Sequence, residues 1–324
     1  MITKPENPPT MTLRRRLKRG RRWLVAMLAR GFISGVSLLP FGFTRFALPR
    51  LLRTFAFLLR KQAMTQLELA YGDAMEPRER RRVSNRVAWN LGLFLAELLA
   101  SWRGKIPAGY VEAGDTRERV RELLDEGKGL IGITGHVGNW ELLGTVFRES
   151  AGEQAGPAIA KRHPNPWLND FIVESRARIG WEIVFQDAGL RPLLRALKSG
   201  KMLGTVPDQD IRRAAGIFVP FFGRDAYTST GPASLSVFSG APILLGFLRR
   251  RPGGLVLDLY EPIRPDMDAP DREAEIERLT RAWSDVVETQ IRKQPEDWMW
   301  FHERWKTTPE RLVARKAARQ SEGH

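Results

Sequence analysis

The sequence predicts an α/β protein with a mostly parallel central sheet flanked by helices, preceded by an N-terminal helical segment that associates with a membrane. Past about Asp115, short apolar runs alternate with amphipathic stretches, which is the pattern of strands joined by crossover helices. The 43% hydrophobic content of the 324 residues fills a core of that size. The net charge of +15 is concentrated at one end: residues 1–60 hold thirteen Lys and Arg against Glu6 alone, or +12, and the rest of the chain carries only +3.

Residues 1–60 form the first unit. A basic cluster, Arg14 to Arg22, is followed from Trp23 by apolar sequence that Arg30 interrupts and Pro40 and Gly42 break. A transmembrane helix needs about 20 predominantly apolar residues, and a signal peptide needs a short apolar core before a small-residue cleavage site. Basic residues flank this apolar stretch on both sides, so both flanks favour the cytoplasmic face. The segment is expected to lie in the membrane surface with its arginines at anionic headgroups. A single tilted span with Arg30 snorkelling, and a basic helix pair buried in a soluble protein, are the other readings. No Cys/His finger spacing or RNP-like aromatic motif accompanies the charge, so nucleic acid is not an expected partner.

Residues 61–308 form the α/β unit, and 309–324 a basic polar tail. Gln62 to Trp102 reads as helical. "GLIGITG", "PAIAK", "WEIVFQ", "KMLGTVPD", "APILLGFLRR" and "GLVLDLYEPI" read as strands; "PWLNDFIVESRARIG", "GLRPLLRALKSG", "GPASLSVFSG" and Arg272 to Lys293 read as helices. Asn165 followed by Pro166 makes a cap and first-turn pair. The chain has no cysteine, which excludes structural disulfides, Cys-ligated zinc and a thiol nucleophile.

The site candidate is "ITGHVGNWELLG", Ile133 to Gly144. In an α/β sheet, ligands gather where strands end and helices begin. "GLIGI" ends there, His136 sits on a Gly-flanked turn, and "NWELLGTVF" starts a helix. Five residues lie about 140° apart on a helix, but a glycine turn lets the Glu141 carboxylate reach back to one imidazole nitrogen. The other nitrogen is then free to take a proton. An isolated H-x4-E pattern is short, and a surface histidine beside an unrelated glutamate fits it equally well.

"GHVGNWE" resembles the H-x4-D/E box of glycerolipid-type acyltransferases, and most of all that of the bacterial lipid A biosynthesis acyltransferase family of lauroyl and myristoyl type. "AKRHPNPWLNDFIVESRARIG", "VPDQDIRRAAGIFVPFFGRDAYTSTGPASLS" and "QPEDWMWFHERWK" agree in order and spacing, and the resemblance runs from about Trp23 to Lys306. It implies a glycerolipid-acyltransferase-like fold at the cytoplasmic face of the bacterial inner membrane. The implied reaction is O-acylation of a lipid A precursor from an acyl carrier protein or acyl-CoA donor, with no cofactor and no metal. His136 becomes the general base and Glu141 its partner. Arg162 and Arg178 meet developing negative charge or a donor phosphate. Asp208 and Asp210 of "PDQD" fall near the same pocket, and Gly138 and Asn139 border the substrate, with backbone N–H groups after Gly138 or an arginine receiving the oxyanion. "DQD" is also open to a divalent-metal reading, which two acids without a third ligand support weakly. His163 falls near the site, His302 packs among Trp298, Trp300 and Trp305, and His324 is terminal; the tryptophans read as a membrane belt or as a core lid. Acylation of another glycolipid such as a phosphatidylinositol mannoside, or of an aminolipid, is the neighbouring reading. A lipid or ester hydrolase, and a non-enzymatic basic membrane or nucleic-acid binder, are the alternatives from other classes.

Overall fold

Arginine-studded apolar sequence builds the first three helices, α1 (Leu13–Leu38), α2 (Phe41–Thr54) and α3 (Phe57–Tyr71), and α4 (Pro77–Ser101) follows. The computed structural model describes residues 13–211 and 214–314, with the backbone alone for 13–18 and for Leu59. Residues 1–12 of the basic segment, the side chains of its cluster up to Lys18, and residues 315–324 of the tail with His324 lie outside the described residues. Among those described, no helix is long and apolar enough to cross a membrane. The helices break at Pro40, the N-cap position of α2, whereas α1 runs through Arg30, which forms an exposed ion pair with Glu174 at 2.5 Å.

The remaining elements alternate. They are β1 (Val111–Glu112), α5 (Thr116–Asp125), β2 (Leu130–Ile133), α6 (Trp140–Ala151), β3 (Ala155–Ala160), α7 (Pro166–Arg178), β4 (Ile183–Phe185), α8 (Arg191–Lys198) and β5 (Met202–Thr205). A hairpin of β6 (Gly216–Phe221) and β7 (Arg224–Ser229) comes next, then α9 (Gly231–Ser239), β8 (Ile243–Arg251), β9 (Gly254–Leu259) and α10 (Arg272–Lys293). Seven strands form one sheet in the order β1-β9-β8-β2-β5-β3-β4. Every neighbouring pair is parallel except β8 with β9. The expected mostly parallel sheet flanked by helices is therefore present. The β6–β7 hairpin was not among the expected strands, because Pro220, Gly223 and Asp225 interrupt its apolar pattern.

Both faces of the central strands are buried, as a parallel sheet covered by crossover helices requires. Ile131, Ile133, Ile243, Leu245 and Phe247 face a core shared with α3, α4, α8 and α10. Leu130, Leu244 and Leu248 face the opposite core, which α5 and α6 complete. The chain passes from β2 through α6 to β3 and leaves a slot that β5 later fills, so β2 and β5 end side by side although 72 residues separate Leu130 from Met202.

Helix α2 of this segment packs on α4 at a very close approach. A methyl group at Gly92 in α4 would lie 2.4 Å from the Cα of Pro49 in α2. Gly92→Ala should gain about 1 kcal/mol of helix propensity, but overpacking against backbone costs about 1–3 kcal/mol, and the rigid Pro49 backbone places it at the upper end. The expected net result is destabilisation with α2 displaced, read as a lower thermal midpoint and faster amide exchange in α2. An unchanged midpoint would mean that the helices are not held by this contact.

Candidate active site

The register of β2 on β5 builds the site. Ile133 pairs with Thr205, and three residues further along each strand stand His136 and Asp208. The Asp208 carboxylate receives the His136 ring Nδ1–H at 2.7 Å, the His136 backbone N–H at 2.8 Å and the Trp298 indole N–H at 2.8 Å. Gly135 leaves the space for this approach, since a Cβ there would lie 3.2 Å from Asp208 Oδ2.

Burial alone would raise the pKa of Asp208, but the His136 charge and the three hydrogen bonds outweigh it and hold the carboxyl down at about 2. An ionised Asp208 fixes the proton on Nδ1 and leaves Nε2 as the basic nitrogen. The His136 side chain is 21% exposed while Asp208 is 1% exposed, so the imidazole alone of the two reaches the surface.

The carboxylate on His136 is therefore that of Asp208, where the sequence suggested Glu141. Glu141 points from the first turn of α6 to the α7 residue Arg176, which grips it through Nε at 3.2 Å and Nη2 at 2.5 Å. Both line a cavity of about 70 Å³ together with Thr134, Trp140, Gly144, Phe147, Trp181 and Gly204. The ring of Trp140, one of these lining residues, lies 4.9 Å from the His136 ring.

The other expected residues take different places. Arg162 forms an exposed pair with Asp187 and lies over Phe185. Arg178 is exposed at the last position of α7, two residues past Arg176. Both Asp210 oxygens are taken by Thr307, and the Asp210 N–H donates to His302 Nε2. Burial pushes His302 down to about 4, so it is neutral near pH 7. Trp298 and Trp300 are core residues rather than a membrane belt. The Gly138 N–H donates to the Asp297 carbonyl and the Asn139 N–H to that of Leu248, so neither amide is available to an oxyanion. At Gly138, φ is +59° and a Cβ would fall 1.8 Å from the Leu248 oxygen. Only glycine fits there.

A second buried network, which sequence reasoning missed, holds this turn. Asn139 caps α6 by accepting the Leu142 N–H, and its amide donates to Glu97 of α4 at 2.7 Å. Glu97, wholly buried, also receives Tyr110 and Arg250. Asn90 joins Arg250 to Asp297, whose segment pairs with the turn through a Val137–Trp298 bridge and a Met299 N–H to His136 carbonyl bond. Removing one partner of such a buried charge pair leaves an uncompensated charge and costs about 3–5 kcal/mol.

Burial of Asp297, only partly offset by Arg250, pushes its carboxyl up to about 6 from a usual 3.8. The folded chain binds this proton more tightly than the unfolded chain does. The contribution is full below the usual value and is lost as pH rises through about 6. His302 slopes the other way, because its lowered value makes stability fall as pH drops from 6.5 towards 4. Asp297→Asn should remove the first slope alone. In urea unfolding between these limits, the stability difference between parent and variant should change with pH; a constant difference would show that Asp297 does not titrate there.

Residues 11–307 match the sequence profile of a family described as bacterial lipid A biosynthesis acyltransferase. The chain is 29% identical to the lipid A biosynthesis lauroyltransferase of Escherichia coli K12, over 77% of this chain and 79% of that protein. It is 28% identical to the palmitoleoyltransferase of the same strain, over 78% and 81%. Similarity extends to a phosphatidylinositol mannoside acyltransferase of Mycolicibacterium smegmatis, 26% identical over 56% of this chain and 58% of that one. With the matched profile spanning both strand ends that meet in the site and the segment that clasps them, the chain belongs to the bacterial lipid A biosynthesis acyltransferase family.

Proposed function

We propose that this acyltransferase moves a fatty acyl chain from a thioester of acyl carrier protein or coenzyme A to a hydroxyl of a lipid A precursor. The acceptor group would be a hydroxyacyl chain already carried by the glucosamine disaccharide. The observation that carries the chemistry is the buried Asp208 on His136 Nδ1. A hydroxyl, whose pKa is far above 7, needs a base as it attacks, and such help is worth about 10²–10⁴-fold. His136 Nε2 takes that proton, the ester C–O bond forms and the thioester C–S bond breaks. The imidazolium returns the proton to the leaving thiolate. Asp208 holds the tautomer and stabilises the imidazolium.

The Arg176 fork, held by Glu141 in the neighbouring cavity, is the cation assigned to the developing oxyanion, in place of Arg162 and Arg178. Because the Glu141 carboxylate already occupies the fork, charge on the oxyanion competes for it and Glu141 acts as a positioning residue. The lipid A acceptor is favoured over a mannoside because the lipid A enzymes match more of the chain.

The enzyme works at the cytoplasmic face of the bacterial inner membrane, with α1–α3 lying in the surface rather than spanning. Thirteen of the eighteen exposed large apolar side chains among the described residues fall between Trp23 and Leu58. Exposed Arg19, Arg21 and Arg22 directly precede that stretch, and exposed Arg50 and Arg53 lie within it. Apolar area plus basic charge is the pair of signals that stable surface binding needs.

His136→Ala should lower kcat at least about a hundredfold, with Asp208→Asn in the same range and the double variant less than additive. Arg176→Lys should impair turnover because the planar fork is lost, whereas Arg162→Ala and Arg178→Ala should stay within about fivefold of the parent. The assay is acceptor-dependent release of free thiol with mass spectrometry of the product. Normal turnover by folded His136→Ala would end the mechanism, and thiol release at the same rate without acceptor would make the enzyme a hydrolase.

Membrane binding is read by co-sedimentation with anionic vesicles. Arg21→Glu with Arg22→Glu should weaken it by about 1 kcal/mol per basic residue lost, with high salt acting alike. Replacing Phe43 and Phe46 by Ser should weaken it at any salt concentration. Full sedimentation of both variants would remove the surface assignment.

A further inference from the structure

Where α2 begins, the body leaves a cleft of about 480 Å³. Phe41, Gly42 and Arg45 form one side of it, and the loop Pro107–Tyr110 with the β8–β9 turn at Gly253 forms the other. Sites for small organic ligands span about 300–1,000 Å³, so the cleft has room for one. Strand β8 runs parallel to β2, so its turn into β9 lies at the same end of the sheet as the His136 turn. The walls stand back at three glycines: a Cβ at Gly42, Gly109 or Gly253 would meet nothing within 4 Å.

Arg45 is the only charged side chain lining this cleft among the described residues. It is half-buried, with its guanidinium carbon 5.6 Å from the centre of the Tyr110 ring. It forms no ion pair or hydrogen bond among the described residues, although its Nε is buried. The Tyr110 hydroxyl gives it nothing, because that group donates to Glu97. Other arginines packed in or on the helical segment are met: Arg30 by Glu174, Arg50 by the Phe46 carbonyl and Arg103 by Ser37. A guanidinium withdrawn from water without an acceptor is costly, and its planar fork matches the oxygens of a phosphate. The border of the cleft indicates which phosphate. Leu38, Leu39, Phe43 and Phe46 flank Phe41–Arg45 in the chain and are all exposed. A soluble anion has no use for such a border, and the chains of a lipid do.

We propose that the cleft at Arg45 binds the phosphate of a membrane phospholipid, whose acyl chains lie against the exposed side chains of α2. The inference rests on the membrane-surface placement of α1–α3 proposed above and names a lipid ligand for it; it does not depend on acyl transfer. One lipid seated there joins the first turn of α2 to the loop before β1. Exposed arginines attract the whole anionic surface, whereas this one holds a single headgroup.

The test is titration of the full chain, labelled at its glycine nitrogens, with dihexanoylphosphatidylglycerol below its micelle concentration. The amide signals of Gly42, Gly109 and Gly253 should shift together. Arg45→Gln should weaken binding about ten- to a hundredfold, the size of a lost hydrogen bond between charged groups. Gly42→Asp should weaken it comparably while leaving the cation in place. It sets a carboxylate three residues from Arg45 on the same helix, in a first turn where acids are favourable and the new side chain has room. Gly42→Asn, of the same shape without the charge, should weaken it far less. If Arg45→Gln does not accumulate as folded protein, the two Gly42 variants carry the test. Unchanged affinity in Arg45→Gln or Gly42→Asp overturns the site. Inorganic phosphate binding as tightly as the lipid overturns the lipid as occupant. Displacement of the lipid by coenzyme A does so too, because the cleft would then serve the donor. An enzyme that sediments with vesicles but shows no shift at these glycines loses the cleft site and keeps the surface placement. Failure to sediment overturns the surface placement, and the membrane source of the ligand with it.

Discussion

A carboxylate with no water around it needs donors on every side, and Asp208 obtains them from three parts of the chain. The His136 ring, the His136 backbone and the Trp298 indole each supply one hydrogen bond. Desolvation on its own would neutralise this group. The site keeps its charge only while the β2–β5 register, the Gly135 gap and the Trp298 segment are all in place. Fold and chemistry are thus coupled at one residue: whatever shifts the strand ends by an ångström also alters which imidazole nitrogen is basic.

The Glu97 network answers a different demand. Helix α6 begins next to the reacting imidazole, and its first turn is buried, so its N-terminal N–H groups must be met by protein. Asn139 meets one of them, and Glu97 orients Asn139. Arg250 compensates Glu97 and reaches Asn90, whose amide bonds Asp297. Helix α4, strand β8 and the segment Pro295–Trp300 thereby converge under one glycine-flanked turn. Buried ion pairs contribute little net stability; this one fixes where the turn can be.

The turn itself was legible in the sequence, because glycines around a histidine at the end of an apolar run have few structural meanings. The fold class was legible as well, since alternating strands and helices leave few arrangements. The partner of His136 was not. Periodicity says that "KMLGTVPD" is a strand ending near the site, but not that it lies next to "GLIGI", and that adjacency is what brings Asp208 to the ring. Glu141 was the nearer carboxylate in sequence and the wrong one in space. Arg176 and Arg178 differ by two positions on a helix, or about 200° of rotation, so a basic pair on α7 was readable while the member facing the cavity was not. Glu97 stands alone in the apolar run "LGLFLAELLA", but nothing local names Asn139, Tyr110 and Arg250 as the groups that meet it.

The segment Pro295–Trp300 ties the histidine turn to a distant part of the chain. It lies far from His136 in sequence, yet it supplies the indole that Asp208 requires, the Asp297 carbonyl for Gly138 and the strand-like partner of Val137. Arg304, buried against Phe221 and bonded to Tyr227 and Thr228, pins the stretch beyond it to the hairpin. The electrostatics of His136 therefore answer to residues outside its own turn: loosening the Pro295–Trp300 stretch would take a donor from Asp208 while every residue of the histidine turn stayed as it is.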